Sequence, residues 1–433
     1  MIDLAKQWFR RTRNSLLARN SAWMFLGYGL RILVQAAYFI LIARGLGTEE
    51  YGAFVGVTAL IAIVAPFASF GAGNLLVKNV SRDRNLFSEY WGNAIVVSLV
   101  SGLLLLAGVM AAARLFLPGS IPWQLILMVG ISDLILVRGI DVAAQAFQAV
   151  DRLRETATLT LLPNVLRLIS AAVVVIVWHH GTAFRWGYFY LGSTLLCSIF
   201  AVVLVTMNLG RPKLALYRIP GELTEGFYFS TGLSAQTVYN DLDKTMLARL
   251  STLDATGIYA AAYRLVDVAF TPVRSVLNAA YPSFFRHGKT GVVAAYAFAK
   301  TLLPRMIGYS LLAFVVLFFI APIIPFVLGE EYARTVEALR WLAVLPLLKT
   351  VHYFFADALT GAGYQGIRTA TQVIVAVANV GLNLWLIPAY SWRGAAWASI
   401  ASDGLLMFSL WIAIEYCCRR EQSVAFVQQL TGD

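Results

Sequence analysis

The sequence predicts an all-α polytopic membrane protein, with about twelve transmembrane helices in two pseudo-symmetric six-helix bundles around a central cavity. Three observations carry this expectation. Of 433 residues, 59% are hydrophobic and only 13% charged, whereas a soluble domain is about half apolar and about a quarter charged. The apolar residues collect in runs of about 20, the length a helix needs to cross a bilayer core. The loops between those runs alternate between rich and poor in Lys and Arg, as orientation in a membrane requires.

The elements follow in order. Residues 1–20 form a basic stretch in which Trp8 and Phe9 lie among Arg10, Arg11 and Arg13, suited to the cytoplasmic membrane surface. The run from about Ser21 to Ala43 has span length and no small-residue cleavage site after it, so it reads as a first transmembrane helix and not a signal peptide. Breaking the chain at charged and Gly/Pro-rich punctuation places spans at roughly 21–43, 52–76, 91–113, 123–147, 157–178, 187–207, 227–250, 257–283, 303–327, 336–358, 370–388 and 394–416. The domains are then an N-terminal bundle at 21–207, a cytoplasmic linker at 208–226, a C-terminal bundle at 227–416 and a cytoplasmic tail at 417–433. With the N-terminus inside, the inner segments hold twenty Lys and Arg, and the outer loops hold five: Arg44, Arg114, Arg185, Arg334 and Arg393. This bias places both termini in the cytoplasm. It also accounts for the net charge of +11 without nucleic acid. Gly52-Ala-Phe54 aligns with Gly257-Ile-Tyr259 at an offset of 205 residues, which suggests two parallel repeats of six spans.

Chemistry-bearing constellations are scarce. Cys197, Cys417 and Cys418 fit neither a disulfide framework nor a zinc spacing, and four His lack an HExxH pattern, so no metal or cofactor is expected. No nucleophile and base pair up, and no loop is long enough for a soluble catalytic domain, so a catalytic residue is not expected either.

Several segments carry a resemblance. Asn20-Ser-Ala-Trp23 and Ala43-Arg-Gly-Leu-Gly-Thr-Glu-Glu-Tyr-Gly52 resemble the start of the bacterial polysaccharide, or O-antigen repeat-unit, flippase family. So do Asp241-Leu-Asp-Lys-Thr-Met-Leu247, Gly257-Ile-Tyr-Ala-Ala-Ala-Tyr-Arg264, Leu328-Gly-Glu-Glu-Tyr332, Asn379 to Pro388 and Gly394-Ala-Ala, all in order along the chain. Trp392-Arg393 stands where that family usually has Tyr-Gly, and twelve spans leave no extra helices for a lipid-tail groove. The family lies in the multidrug/oligosaccharidyl-lipid/polysaccharide exporter superfamily. The resemblance implies transport of an undecaprenyl-diphosphate-linked oligosaccharide across the bacterial inner membrane for O-antigen or exopolysaccharide synthesis. Its partners would be that lipid-linked substrate and membrane lipids, with a polysaccharide polymerase and a chain-length regulator downstream.

Charges at membrane depth are costly and face the protein interior. Arg31 lies 11 residues past Asn20, roughly 16 Å into the bilayer at 1.5 Å per residue, and shares a face with Tyr28, Gln35 and Tyr38. Arg264, Asp267, Arg274 and Asn278 fall within roughly 80° of one another on the eighth span, and Gln236, Asn240, Asp243 and Lys244 within about 100° on the seventh. The expected substrate-binding residues are Arg31, Arg274, Arg264, Lys244, Asn240, Gln35 and Arg138; neither Arg31 nor Arg274 has an acid one turn away. Asp241–Lys244, Arg264–Asp267 and Arg138–Asp141 are spaced to neutralise each other instead. Lys349 is a further candidate for touching substrate, ranked with Arg138, while Arg167, Arg249 and Arg340, near span ends, read as snorkelling. Asp133, Asp357 and Asp403 are the candidates for ion coupling. Pro66, Pro163, Pro272, Pro304 and Pro346 sit within spans and are expected to kink them, Pro272 as a hinge. The alternatives are a drug or cation exporter of the same superfamily, which would favour an acidic cavity, and an integral-membrane glycan polymerase or ligase, which would want a longer outer loop.

Overall fold

The computed structural model describes residues 16–178 and 181–431. Among these the regular elements are helices, with no strand. Contacts divide the chain into two compact units, Met1–Asp241 and Leu242–Asp433.

In the first unit, α1 (Leu16–Val64) runs through the first expected span and into the second as one element. The outer loop expected between them is reduced to a kink at Gly47, with φ 73° and ψ 176°. Such a φ is open to glycine and strained for other residues. The turn at 181–183 is stitched to α1 there: Gly181 N–H donates to the Gly45 carbonyl at 2.9 Å, and Ala183 N–H donates to Glu50 Oε2 at 2.6 Å. The second expected span is broken near its inner end. A 3₁₀ turn at Ala65–Ala68 has Pro66 in its first turn, Phe70 and Gly71 follow with positive φ, and α2 (Ala72–Val80) resumes.

α3 (Phe87–Phe116) contains the third expected span. The fourth is composite: α4 (Trp123–Gly130), a π-helical turn at Ile131–Leu136 and α5 (Val137–Ala149). α6 (Leu153–Trp178) and α7 (Ala183–Leu209) complete this series. Trp91, Leu76 and Phe147 are fully buried in the core these helices share. α8 (Ile219–Leu250) begins inside the stretch expected as linker, with Pro220 in its first turn, where a missing N–H costs nothing. The remaining linker is clasped to α3. Asn93 exchanges two hydrogen bonds with the Ala215 backbone, at 3.1 and 3.0 Å, and Lys213 N–H donates to the Ser88 carbonyl at 2.8 Å. A Cβ on Gly92 would lie 2.2 Å from the Lys213 carbonyl oxygen, so only glycine admits this approach.

The second unit continues with α9 (Leu253–Gly288), capped by the Thr252 side chain, which accepts from Ala255 N–H at 3.1 Å. Gly47 ends the first pass and Thr252 caps the eighth, so the offset of 205 residues recurs in the helix breaks. α10 (Val292–Ile320), α11 (Ile324–Leu328), α12 (Thr335–Leu342), α13 (Leu345–Gly361), α14 (Gln365–Tyr390) and α15 (Trp392–Thr431) follow. The tenth expected span is thus two helices. Pro346 stands in the first turn of α13 and starts a helix instead of kinking one. Pro163, Pro272 and Pro304 do lie inside helices.

Among the described residues, eight stretches are long and apolar enough to cross a membrane. The composite 123–149 segment, α8 and α9 are more polar, because they carry the charges described below. Together with the two passes joined in α1, they bring the helical passes to twelve. The chain is a multi-pass membrane protein.

Candidate functional site

A buried polar cluster of the second unit lies where the end of α8 meets α9, α13 and α15. Asp243 and Lys244 are buried. The Asp243 carboxylate accepts from the Tyr259 hydroxyl, from Ser399 Oγ at 3.2 Å and from Lys244 N–H at 2.8 Å. It is a well-satisfied acceptor.

Lys349, on α13, is only 2% exposed. Its Nζ donates to the Tyr263 hydroxyl at 2.6 Å and lies 4.7 Å from the centroid of that ring. Lys244 Nζ lies 4.4 Å from the same centroid. One tyrosine therefore gathers two ammonium groups, through its face and its hydroxyl. Among the described residues, no carboxylate comes within 4.0 Å of Lys349 Nζ. Asp267, Lys244, Asp243 and Arg274 are within electrostatic reach of it. Three basic side chains and two carboxylates are thus gathered here. Burying an ammonium without a paired carboxylate is costly, so a fold that keeps one there maintains an electrostatic demand for an anion.

Lys244 thus lies at the centre of this arrangement. Arg264 is half-buried and Arg274 exposed, both on α9 with Asp267 and Asn278 on its more accessible face. The expected i,i+3 pair Arg264–Asp267 does not close into an ion pair. Arg274 instead places its guanidinium 5.6 Å from the Phe270 ring. Asn240 is half-buried on α8. The side chains of Arg31, Tyr28 and Gln236, and the basic stretch ahead of α1, lie outside the described residues.

In the first unit, Gln35 Nε2 donates to Asn164 Oδ1 at 3.1 Å, and Asn164 donates on to the Thr160 carbonyl at 3.0 Å. Arg138 pairs with Asp141 at 3.1 Å and donates to the Asp133 carbonyl at 3.3 Å. The three carboxylates considered for ion coupling each have a partner in their own unit. Asp133 accepts from the Tyr190 hydroxyl at 2.8 Å and pairs with Arg167 at 3.5 Å. Asp357 pairs with Arg368 at 3.4 Å, and Asp403 meets His352 Nε2 at 3.1 Å with both side chains buried. Arg167 therefore does not snorkel. It stacks 4.1 Å from the Tyr190 ring centroid, because Asp133 offers it a charge inside the protein. Arg249 and Arg340 are exposed.

Sequence reasoning ranked Lys349 with Arg138 as a lesser substrate contact, and it gave Tyr263 no role. A usable signal existed for the lysine: its nearest acid along α13 is Asp357, eight residues on, the same lack of a neighbouring acid that singled out Arg31 and Arg274. Tyr263 carried no signal, since its role comes from two lysines on other helices.

Comparison with known proteins agrees with this architecture. The family described as polysaccharide biosynthesis protein matches residues 17–287. A probable low-salt glycan biosynthesis flippase of Haloferax volcanii, Agl15, is 25% identical over 407 residues, 89% of this chain and 81% of that protein. Among solved structures, a multidrug resistance MATE family transporter of the MOP superfamily superposes with a TM-score of 0.72 at 14% identity, covering 91% of this chain and 95% of that one. The lipid II flippase MurJ does so with a TM-score of 0.69 at 13% identity, covering 90% and 87%. The fold is that of the transporters of this superfamily.

Proposed function

The chain belongs to the polysaccharide biosynthesis protein family, and from that premise we propose that it is a flippase. It carries an undecaprenyl-diphosphate-linked oligosaccharide from the cytoplasmic to the periplasmic leaflet of the bacterial inner membrane, by alternating access between two six-helix bundles. The observation that carries this reading is the buried pair of lysines on Tyr263. A lipid diphosphate supplies the anion that Lys349 lacks, and Arg264 and Arg274 on the same helix extend the basic surface. Arg31 and Asn240, also among the seven residues expected to bind substrate, are carried forward as proposed contacts of the transported lipid. The named glycan flippase relative and the MurJ-like fold support the same substrate class.

The protein makes and breaks no covalent bond. Lys244 and Lys349 act as point charges, suited to holding a diphosphate without fixing its orientation as a bidentate guanidinium would. Asp133, Asp357 and Asp403 are the groups through which an ion gradient would act. Both termini lie in the cytoplasm, following the distribution of Lys and Arg. A polysaccharide polymerase and a chain-length regulator would take the glycan on the far side. A cation exporter of the same superfamily is the lesser reading, because the buried Lys349 ammonium repels a cationic substrate.

The experiment is reconstitution into liposomes with the lipid-linked oligosaccharide, following its arrival in the far leaflet with a membrane-impermeant glycosidase. Protein-dependent arrival is expected. An unchanged leaflet distribution in the presence of folded protein would sink the proposal.

A further inference from the structure

The first unit holds a second polar site, quite different in charge from the first. A cavity of about 310 Å³ is lined by Asn74, Gln145, Gln148, Ser69, Arg138 and Asp141, among others. Its volume is at the lower end of the range for small-ligand sites, about 300–1,000 Å³. The break after Pro66 shapes one wall: the positive φ of Phe70 and Gly71 turns the chain so that Ser69 and Asn74 both line it.

Its chemistry is that of uncharged hydrogen bonding. Among the described residues, its charged lining is Arg138 and Asp141, which pair with each other at 3.1 Å. Gln145 Nε2 donates to Asn74 Oδ1 at 2.9 Å. That clasp leaves Gln145 Oε1 and Asn74 Nδ2 unused, and among the described residues the Gln148 amide and the Ser69 hydroxyl have no partner either. Each free amide sets a donor and an acceptor side by side, the pattern that neighbouring hydroxyls of a sugar ring satisfy, since each hydroxyl both donates and accepts. A phosphate would find acceptors it repels, and an acyl chain would leave the amides unpaired. The clasp is also built into the backbone: a Cβ on Gly73 would lie 1.6 Å from Gln145 Oε1.

We infer that this cavity is a saccharide subsite, which takes an uncharged sugar ring of the transported glycan while the diphosphate is held elsewhere. The inference rests on the flippase reading. The walls come from the ends of α2, α5 and α6 next to Lys78, Arg152 and Arg154, so with the termini inside the subsite takes the glycan from the cytoplasmic side. The Gln35–Asn164–Thr160 chain reaches its edge, since Thr160 also lines it.

The test measures binding of two lipids to the purified full-length protein by native mass spectrometry. One is the lipid-linked oligosaccharide extracted from cells lacking the protein. The other is the polyprenyl diphosphate left after mild acid releases its glycan. Asn74→Leu and Gln148→Leu change exposed side chains, and Gly73→Ala displaces only the end of Gln145, so all three should fold and run as wild type on size exclusion. Each is expected to weaken binding of the intact lipid roughly tenfold and to leave the sugar-free lipid unchanged. Equal losses on both lipids, or no loss on either, would overturn the subsite while the flippase reading stands. Wild-type protein that binds neither lipid above a neutral phospholipid would overturn both.

Discussion

Replacing Lys349 by Met separates function from stability, because the two should move in opposite directions. The side chain is 2% exposed, and among the described residues its ammonium has one hydrogen bond, to Tyr263, and no carboxylate at ion-pair distance. A hydrogen bond to a charged group contributes about 1.5–3 kcal/mol, so losing it to a bound diphosphate should reduce binding and flipping roughly ten- to hundredfold. Stability has little net to lose. The Tyr263 contact contributes about 1.5–3 kcal/mol, and Met offsets its loss by removing the cost of burying an ammonium while keeping a similar volume. Lys349→Met should therefore reach the membrane at normal level and melt at the wild-type temperature or above it. Asp243→Ala is the contrast. It removes the acceptor for Tyr259, Ser399 and Lys244 N–H and should cost about 2–4 kcal/mol of stability. The assays are initial flipping rate per reconstituted molecule and thermal unfolding in the same detergent. Normal flipping by Lys349→Met would refute the anion site. Lost protein with normal activity per molecule would make the lysine a structural residue.

The remaining expectations are shorter. Arg31→Ala and Arg274→Ala should abolish glycan export at normal protein level, with Lys restoring part of it because the charge returns without the bidentate fork; absence of the Ala variants from the membrane would make these residues structural. Reporter fusions should read periplasm at Gly119 and Gly329 and cytoplasm at Gly288, and a periplasmic signal at Gly288 would overturn the proposed orientation. Arg167→Leu should leave the Asp133 carboxylate buried without its cation and cost about 3–5 kcal/mol. Its measurable consequence is loss of folded protein, which Asp133→Asn in the same chain should partly restore.

Helices were legible in the sequence wherever burial in lipid alone decides them. The runs at 91–113 and 187–207 sit inside Phe87–Phe116 and Ala183–Leu209, because about 20 apolar residues in a bilayer have one way to satisfy their backbone. Local exceptions were less legible. Gly47 carries a kink that hydropathy cannot register, and the helix through it continues where a loop was expected. Pro66 and Pro346 both looked like kinks, yet one enters a 3₁₀ turn and the other begins a helix, since proline fits any first turn and the sequence does not say where a turn starts. The site divides in the same way. Buried charge at Lys244 and Asp133 followed from depth alone, but their partners did not. Asp133 and Arg167 are 34 residues apart and Lys349 and Tyr263 are 86 apart, and no spacing rule on one helix reaches that far.

The two units treat buried cations differently, and the difference bears on where an anion would be held. In the first unit, Arg167 has Asp133 within 3.5 Å, and Tyr190 both stacks on the guanidinium and donates to the same carboxylate. Charge, face and hydroxyl all close on one another, so that cluster has no net charge to offer a ligand. In the second unit, the comparable tyrosine, Tyr263, meets two ammonium groups, while the nearby Asp243 already accepts from three donors. A carboxylate so engaged cannot turn to Lys349 without leaving Tyr259 or Ser399 unpaired, at about 1–3 kcal/mol for each buried group. The excess positive charge is thus protected from internal neutralisation by the hydrogen bonds of its own neighbour. On the proposed flippase reading, a lysine with no fixed acid beside it leaves the anion position to the lipid diphosphate, because a permanent partner would compete with the substrate in each transport cycle.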